Sequence, residues 1–238
     1  MEYSKEYRAF ISRCANICAT KEEKNKFLIG SGNPMSPILF VGQEPSGDNP
    51  EGMLSAWEAQ VQKEFKPQPL YKTFPSQHMW RNYQRIYEVI AKGDYCEHPD
   101  CIDFVEHIFT TEMSGIANAS NSEARLMAGH NEELVRRKKV FFTDEYIQSF
   151  PVVVLACGNY LRNDEYDREI NRIFNVTYDL ENGEHKFNDS NWFYCHHNND
   201  RTRLVIHTRN LSNGVKSELI HDMGDVIKKH LEYWNLSL

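Results

Sequence analysis

Short apolar runs that end in turn residues indicate buried strands along the chain. Pro37–Gly42 and Pro151–Ala156 are almost wholly apolar, which is typical of strands that are covered on both faces of a sheet. His107–Thr111 and Leu204–His207 predict two more strands of this kind. Asn191–Cys195 is a weaker candidate for an additional strand.

Stretches with helical spacing lie between these strands. Helices are predicted over residues 53–65, 79–91, 132–150 and 216–231, with another after Gly158. Alternating strands and helices are typical of a parallel sheet that is covered by helices. We therefore predict an α/β fold, a three-layer α/β/α sandwich around a central, mostly parallel four-stranded sheet, with one domain over residues 1–238.

Polar residues at strand ends indicate where such a domain binds a ligand. Gln43, Glu112, Gly158 and Thr208 each lie at or just after the end of a predicted strand. Because ligands of parallel sheets bind beyond the carboxyl ends of the strands, we expect these four residues to converge at one edge.

The composition narrows the class of protein without changing this fold. The 238 residues are 40% hydrophobic and 26% charged, which suits one sizeable core. The sequence has no apolar run near the ~18 residues that span a bilayer and no signal-peptide core, so we expect a soluble cytoplasmic protein. Its six cysteines are expected to be free thiols. The net charge of −7 disfavours binding nucleic acid by bulk charge, so DNA binding requires a local basic face.

Two segments resemble the motifs of a known superfamily. Leu39–Ser46 is a predicted strand followed by Gly-Gln-Glu-Pro-Ser, and Val205–Ser212 is a predicted strand followed by His-Thr-Arg-Asn-Leu-Ser. They resemble the Gly-Gln-Asp-Pro-Tyr and His-Pro-Ser-Pro-Leu-Ser motifs of the uracil-DNA glycosylase superfamily. Phe109–Glu112 and Val154–Gly158 resemble intermediate strand ends of that superfamily, so the likeness spans residues 38 to 212.

This resemblance implies a DNA glycosylase and assigns roles to the matching residues. Cleavage of an N-glycosidic bond builds positive charge on the sugar and negative charge on the departing base. Glu44 would stabilise the cationic sugar or position the attacking water, and His207 would donate to a base carbonyl. The backbone amide of Gln43 would complete base recognition, and Leu211 would fill the space that a flipped base leaves.

Departures from the superfamily pattern indicate the substrate. Ser46 replaces the tyrosine that excludes thymine, which leaves room for a substituent at C5 of the base. Glu112 stands where the superfamily has asparagine, and an ionised carboxylate would accept from the N4 amino group of cytosine. Tyr71 or Phe74 would stack on the flipped base. The hypothesis is therefore excision of a C5-substituted pyrimidine, with modified cytosine, such as glucosylated 5-hydroxymethylcytosine, as the leading candidate.

Because such bases are typical of virus genomes, defence against phage is an extension of this hypothesis. Two alternatives stay open: an ordinary uracil or mismatch repair glycosylase, and, from another class, a catalytically inactive nucleic-acid-binding module on the same fold. The presence of both Glu44 and His207 favours the enzyme.

Residues around the second motif are the predicted DNA contacts, with the basic side chains placed on phosphates. This set comprises Arg201, Arg203, Arg209, Leu211, Ser212 and Lys216. The basic run Arg136–Lys139 is instead predicted to be a solvated helix face.

A metal centre is the remaining alternative, because some branches of the superfamily hold an iron–sulfur cluster on four cysteines. Cys14 and Cys18 resemble the first pair of that cluster, whereas Cys96 and Cys101 are spaced more tightly than those branches require. A zinc site that adds His98 is the other candidate. We predict no metal and no other cofactor. The expected partner is DNA, with no membrane, and the expected state is a monomer.

Overall fold

A computed structural model describes residues 2–45, 53–62, 64–65, 71–72, 78–99, 101–116, 128–164 and 166–238. Within these ranges the chain forms an α/β structure, which confirms the predicted class. In chain order the strands are β1 Leu28–Gly32, β2 Ile38–Gly42, β3 Leu54–Ser55, β4 Tyr71–Lys72, β5 Cys101–Ile102, β6 Phe109–Glu112, β7 Val152–Leu155, β8 Thr177–Tyr178, β9 Glu184–Asn188, β10 Asn191–His197 and β11 Leu204–Thr208.

Four neighbouring strands at the centre of a larger sheet are parallel. The spatial order is β3-β1-β6-β2-β7-β11-β10-β8, with β9 also on β10, which makes nine strands in the described part of the chain. β2 is parallel to β6 and β7, and β7 is parallel to β11, whereas the flanking pairs are antiparallel. The sheet has more strands than the predicted four. The strand β1 contains glycines and β9 contains polar residues, so neither forms the kind of apolar run from which strands were predicted.

The order of the parallel strands creates a switch point between β2 and β7. Along the chain these strands follow as β2, β6, β7 and β11, but β2 lies between β6 and β7 in the sheet. Successive connections therefore leave in opposite directions, and in sheets of this kind ligands bind at that point, beyond the carboxyl ends of β2 and β7. The backbone ladders reach that edge, since Met113 N donates to Gly42 O at 3.0 Å and Ala156 N donates to Val41 O at 2.8 Å.

Helices cover both faces of the sheet. Leu39 and Val41 of β2 pack into one buried cluster with apolar residues of several helices, whereas Ile38 and Phe40 pack into a second cluster on the opposite face. The helices are α1 Lys5–Asn16, α2 Lys21–Lys26, α3 Ala56–Val61, α4 His78–Lys92, α5 His130–Arg136, α6 Glu145–Gln148, α7 Glu169–Phe174 and α8 Ser217–Tyr233. The first cluster includes residues of α1, α3, α6 and α7, and the second includes residues of α4 and α8.

The spacing of apolar residues explains why the longest helices pack as they do. In α8 the buried residues Leu219, Met223 and Ile227 recur every four positions and so share one face. That face meets α4 closely at Gly224, where an added Cβ would lie 2.5 Å from Cγ1 of Val89. A larger residue at this position would push the two helices apart.

The prediction of one continuous helix over residues 132–150 is wrong. The helix α5 ends at Arg136, a π-helical turn spans Arg137–Phe141, and the short helix α6 follows. Asp144 begins α6 by accepting from Tyr146 N at 2.9 Å, which stabilises a new start at that point. In the described ranges, no helix is long and apolar enough to cross a membrane.

The prediction that Arg136–Lys139 is a solvated helix face is wrong for Arg137. Arg137 is fully buried, and its guanidinium donates to Leu28 O at 2.6 Å, to Thr111 Oγ1 at 3.0 Å and to Glu112 O at 3.1 Å. Burial lowers the pKa of Arg137 to about 10, so the group is still charged at neutral pH. These contacts tie β1 to the end of β6.

Candidate active site

Gln43 links three of the segments that meet at the switch point. Its side chain follows β2, donates through Nε2 to Cys157 O at 3.1 Å after β7, and accepts at Oε1 from Asn210 Nδ2 at 2.7 Å after β11. Its backbone carbonyl accepts from Ser114 N at 2.9 Å after β6. The predicted convergence of strand ends is therefore present, and both ends of the Gln43 amide are held by the protein.

Glu44 lies beside this link and is 7% exposed. The hydroxyl of Tyr160 donates to Oε2 of Glu44, and the same hydroxyl lies 3.4 Å from Nε2 of His130. Tyr160 belongs to the 3₁₀ turn Gly158–Tyr160 that follows β7, and His130 begins α5. Side chains from three segments of the chain thus meet around Glu44.

Glu112 is 2% exposed and its carboxyl lies over the backbone of Gly42 on the neighbouring strand. A Cβ added to Gly42 would be 2.1 Å from Oε2 of Glu112, so only glycine leaves room for this carboxyl. Burial is the largest cause that raises the pKa of Glu112, the charge of Glu44 adds to it and Arg137 opposes it, so the pKa is about 8. This pKa favours the neutral carboxyl at pH 7, against the expectation of an ionised Glu112.

His207 lies near the end of β11 and is 4% exposed. Its Nε2 lies 2.9 Å from Gly158 O, and because a carbonyl only accepts, this nitrogen carries the proton. Burial lowers the pKa of His207 to about 4, so the ring is neutral at pH 7. The N–H predicted to donate to a base is therefore bound to Gly158 in this structure, and a base carbonyl must displace that contact.

Several buried polar atoms around this edge have no hydrogen-bond partner among the described residues. They are Oε2 of Glu112, Nδ1 of His207, Nδ1 of His130 and the hydroxyl of Tyr83. Leaving a buried polar atom unpaired costs about 1–3 kcal/mol. Each of these atoms therefore indicates a place where water or a polar ligand can bind.

The structure separates two predicted DNA contacts from this edge. Arg201 and Arg203 precede the start of β11, whereas His207 lies near its other end. Most of the strand therefore separates the two arginines from His207. Arg203 is 7% exposed and donates to Ile147 O, Gln148 Oε1, Phe150 O and Phe174 O at 2.6 to 3.2 Å. Arg201 pairs with Asp179 at 2.8 Å.

The remaining predicted contacts lie in the loop after β11. The guanidinium of Arg209 donates to the carbonyls of Asn210, Ser190 and Asn213 at 2.6 to 2.9 Å, so it braces the loop. Ser212 donates through its backbone N to Asn210 Oδ1 at 2.8 Å. Lys216 is exposed where α8 begins.

Leu211, the predicted wedge, is fully buried in the cluster with α4 and α8. Its carbonyl accepts from Asn82 Nδ2 at 2.7 Å, which holds the loop inward. Ser46 and Phe74 lie outside the described residues, as does the side chain of Tyr71.

Sequence reasoning missed three members of the site. Asn210 had a signal, since an asparagine three residues after a strand-ending histidine readily forms a side-chain turn. Tyr160 had a weaker one, as an aromatic residue two positions after the Gly158 turn. His130 had none, because only the fold brings the start of α5 to this edge.

The described residues contain no group of three or more His, Cys, Asp or Glu side chains placed to hold a metal. Cys14 and Cys18 are buried, and Cys18 donates to Cys14 O at 3.4 Å. Cys96 is exposed and Cys101 is half-buried, and Cys14, Cys18, Cys96, Cys157 and Cys195 are free thiols.

Comparison with known proteins identifies no family. No protein-family model matches the chain. No curated protein matches it significantly either. The glycosylase hypothesis consequently depends on the motifs and on the geometry of the site.

Proposed function

We propose that this protein is a monofunctional DNA glycosylase that flips a C5-substituted pyrimidine out of DNA and hydrolyses its N-glycosidic bond. The observation that supports it most is the meeting of the residues after β2 with those after β7 and β11 at the switch point of a parallel sheet, where Gln43 bonds to Cys157 O and to Asn210, and Tyr160 bonds to Glu44. This edge is where such sheets bind ligands, and its unpaired polar atoms require partners. We further propose that the enzyme acts as a cytoplasmic monomer.

The mechanism assigns opposite charges to opposite sides of the scissile bond. Glu44 places a carboxylate near the sugar, where it stabilises the developing cation or holds the attacking water. His207 is neutral, so it can stabilise the departing base through a hydrogen bond without transferring its proton. Binding of a base carbonyl at Nε2 replaces Gly158 O as the acceptor. Donors of this kind are typically worth ~2.7–4 kcal/mol in the transition state.

A neutral Glu112 changes how the base is read. A protonated carboxyl offers one donor and one acceptor, which complements the N3 and N4 groups of cytosine and also the N3 and O4 groups of uracil. An ionised carboxylate offers acceptors only, so it accepts from N4 of cytosine or from N3–H of uracil and repels the neighbouring acceptor of either base. Recognition of both bases should therefore weaken as the pH rises through about 8.

The proposal is tested with duplex DNAs that carry uracil, a thymine mismatch, 5-hydroxymethylcytosine or its glucosylated form. Abasic sites are revealed by alkali cleavage. Glu44→Gln and His207→Ala should each lower turnover about a hundredfold or more, while DNA binding and the fold are retained. His207→Gln, which keeps an N–H near the position of Nε2, should lose less.

Two residues away from the site, the half-buried His230 and the buried Glu88, provide matched controls. His230 also places Nε2 near a backbone carbonyl, Thr202 O at 3.2 Å, but it does so at the other end of β11. Glu88 is a buried carboxylate on α4 that accepts from Cys96 N at 2.8 Å. His230→Ala and Glu88→Gln should retain full turnover. Unaltered turnover in both Glu44→Gln and His207→Ala would remove the assignment.

An inactive nucleic-acid-binding module is the second candidate, because Leu211 is buried and the N–H of His207 is bound to Gly158. The same assay separates the two. DNA binding without abasic sites on any of the four substrates supports the module.

A further inference from the structure

We propose that Tyr160 and His130 are positioning residues that orient the Glu44 carboxylate through a chain of hydrogen bonds. This inference depends on the proposed glycosylase function for its catalytic meaning, but the chain itself is tested independently. Tyr160 bonds to Oε2 of Glu44, and His130 lies behind Tyr160 at 3.4 Å. Both side chains are almost fully buried, at 4% and 2% exposed.

The chemistry of the three groups fixes the direction of the chain. An ionised carboxylate only accepts, so the phenol of Tyr160 donates to Glu44. The phenol oxygen can then accept from Nε2–H of His130, whose ring lies edge-on to that of Tyr160 with centroids 5.8 Å apart. Donation from His130 polarises the phenol and strengthens its bond to the carboxylate.

The three residues come from different parts of the fold, which is why the chain can act as a positioning device. Glu44 follows β2, Tyr160 lies in the 3₁₀ turn after β7, and His130 begins α5. The carboxylate is thereby held from across the switch point and not only by its own backbone. A glycosylase needs this, because misplacement of a reacting group by about 1 Å can cost a hundredfold in rate.

The chain also compensates for a charge held in a poorly solvated place. Glu44 is 7% exposed, and it faces Tyr160 and His130 together with the carboxyl of Glu112, which repels a negative charge when it is ionised. Hydrogen bonds to the ionised form of a carboxyl favour that form. Loss of the phenol hydroxyl should therefore favour protonation of Glu44, while the contribution of Glu112 stays unchanged.

The test is a carboxyl ¹³C NMR titration of glutamate-labelled protein, with the Glu44 signal assigned by its absence in Glu44→Gln. In Tyr160→Phe the titration midpoint of Glu44 should rise by about one pH unit, because a hydrogen bond to a charged group is lost. On a substrate that the wild type excises, kcat should fall about tenfold or more with KM unchanged, and the acidic limb of the pH profile should move upward with the midpoint.

Matched variants separate positioning from simple loss of packing. Tyr146 is another buried tyrosine, and its hydroxyl donates to Pro34 O away from the site. Tyr146→Phe should leave the Glu44 midpoint and the pH profile unchanged, even where it lowers stability. His130→Gln keeps an N–H near the position of Nε2 and should stay close to the wild type, whereas His130→Leu should shift the midpoint in the same direction as Tyr160→Phe.

The two ideas fail in different ways. A Glu44 midpoint that is the same in the wild type and in Tyr160→Phe overturns the hydrogen-bond chain, whatever the protein excises. A shifted midpoint in a protein that forms no abasic sites supports the chain and refutes the glycosylase.

Discussion

Glu112→Gln should make the free energy of unfolding less dependent on pH. The carboxyl is buried at the end of β6, and glutamine preserves its size while removing its ionisation. Burial raises the pKa of Glu112 from its usual 4.5 to about 8, so the folded protein binds this proton more tightly than the unfolded chain does. The stabilisation from this proton is fully present below about 4.5 and is lost progressively as the pH rises to about 8.

The size of the effect follows from the interval between these two values. At ~1.4 kcal/mol for each pH unit, the whole interval from 4.5 to about 8 corresponds to a loss of about 5 kcal/mol. Between about pH 5 and about pH 7.5 the wild type should lose about 3 kcal/mol through this group, and Glu112→Gln should not. The difference in stability between the variant and the wild type should grow by that amount.

Urea unfolding followed by tryptophan fluorescence measures this difference over the pH range. Thr110→Val is the matched control, because Thr110 lies two residues earlier on the same strand, is fully buried and does not titrate. Its effect on stability should be the same at each pH. Titrating groups that do not interact with Glu112, such as His207, contribute equally to the wild type and the variants, so the difference removes them. Parallel stability curves for Glu112→Gln and the wild type, within about 0.5 kcal/mol, would refute the raised pKa.

The remaining predictions concern Gly42, Arg203 and Lys216. Gly42→Ala places a Cβ 2.1 Å from Oε2 of Glu112, so it should cost about 1–3 kcal/mol in urea unfolding, and Glu112→Ala in the same chain should recover most of that loss. A cost that Glu112→Ala leaves unchanged would place the clash elsewhere. Arg203→Met should destabilise the fold by about 3 kcal/mol without altering the salt dependence of DNA binding, since its donors bind four acceptors inside the protein. Lys216→Ala should leave the stability unchanged and should lower the salt dependence of DNA binding. Fluorescence anisotropy at several salt concentrations distinguishes the two variants.

Three of the four central strands could be predicted because each contains a continuous apolar run that the fold buries on both faces. The strand β6 is buried although it reads Phe-Thr-Thr-Glu, and it was predicted within the segment His107–Thr111. The meeting of strand ends at Gln43 followed from the parallel order, since parallel strands end at one edge. The strand β9 was missed because it alternates exposed and half-buried residues and offers no apolar run, although β10, its antiparallel partner, begins close behind it at Asn191.

The roles of the arginines could not be predicted from their position near a motif. Arg203 and His207 are four residues apart, which an extended strand converts into ~13 Å, so the two cannot serve the same edge. The partners of Tyr160 and His130 were hidden for another reason. Each lies in a different segment from Glu44, and a sequence pattern does not show contacts between distant segments.

The bond between Asn210 and Gln43 joins residues that are 167 positions apart. Such a contact closes a loop of most of the chain, which forms slowly and only after the intervening strands are in register. A fragment that ends before Asn210 or begins after Gln43 lacks one side of this contact. A refolding chain can therefore regain helices, strands and much of its core before it regains a binding edge, so recovery of that edge marks the completion of folding rather than its beginning.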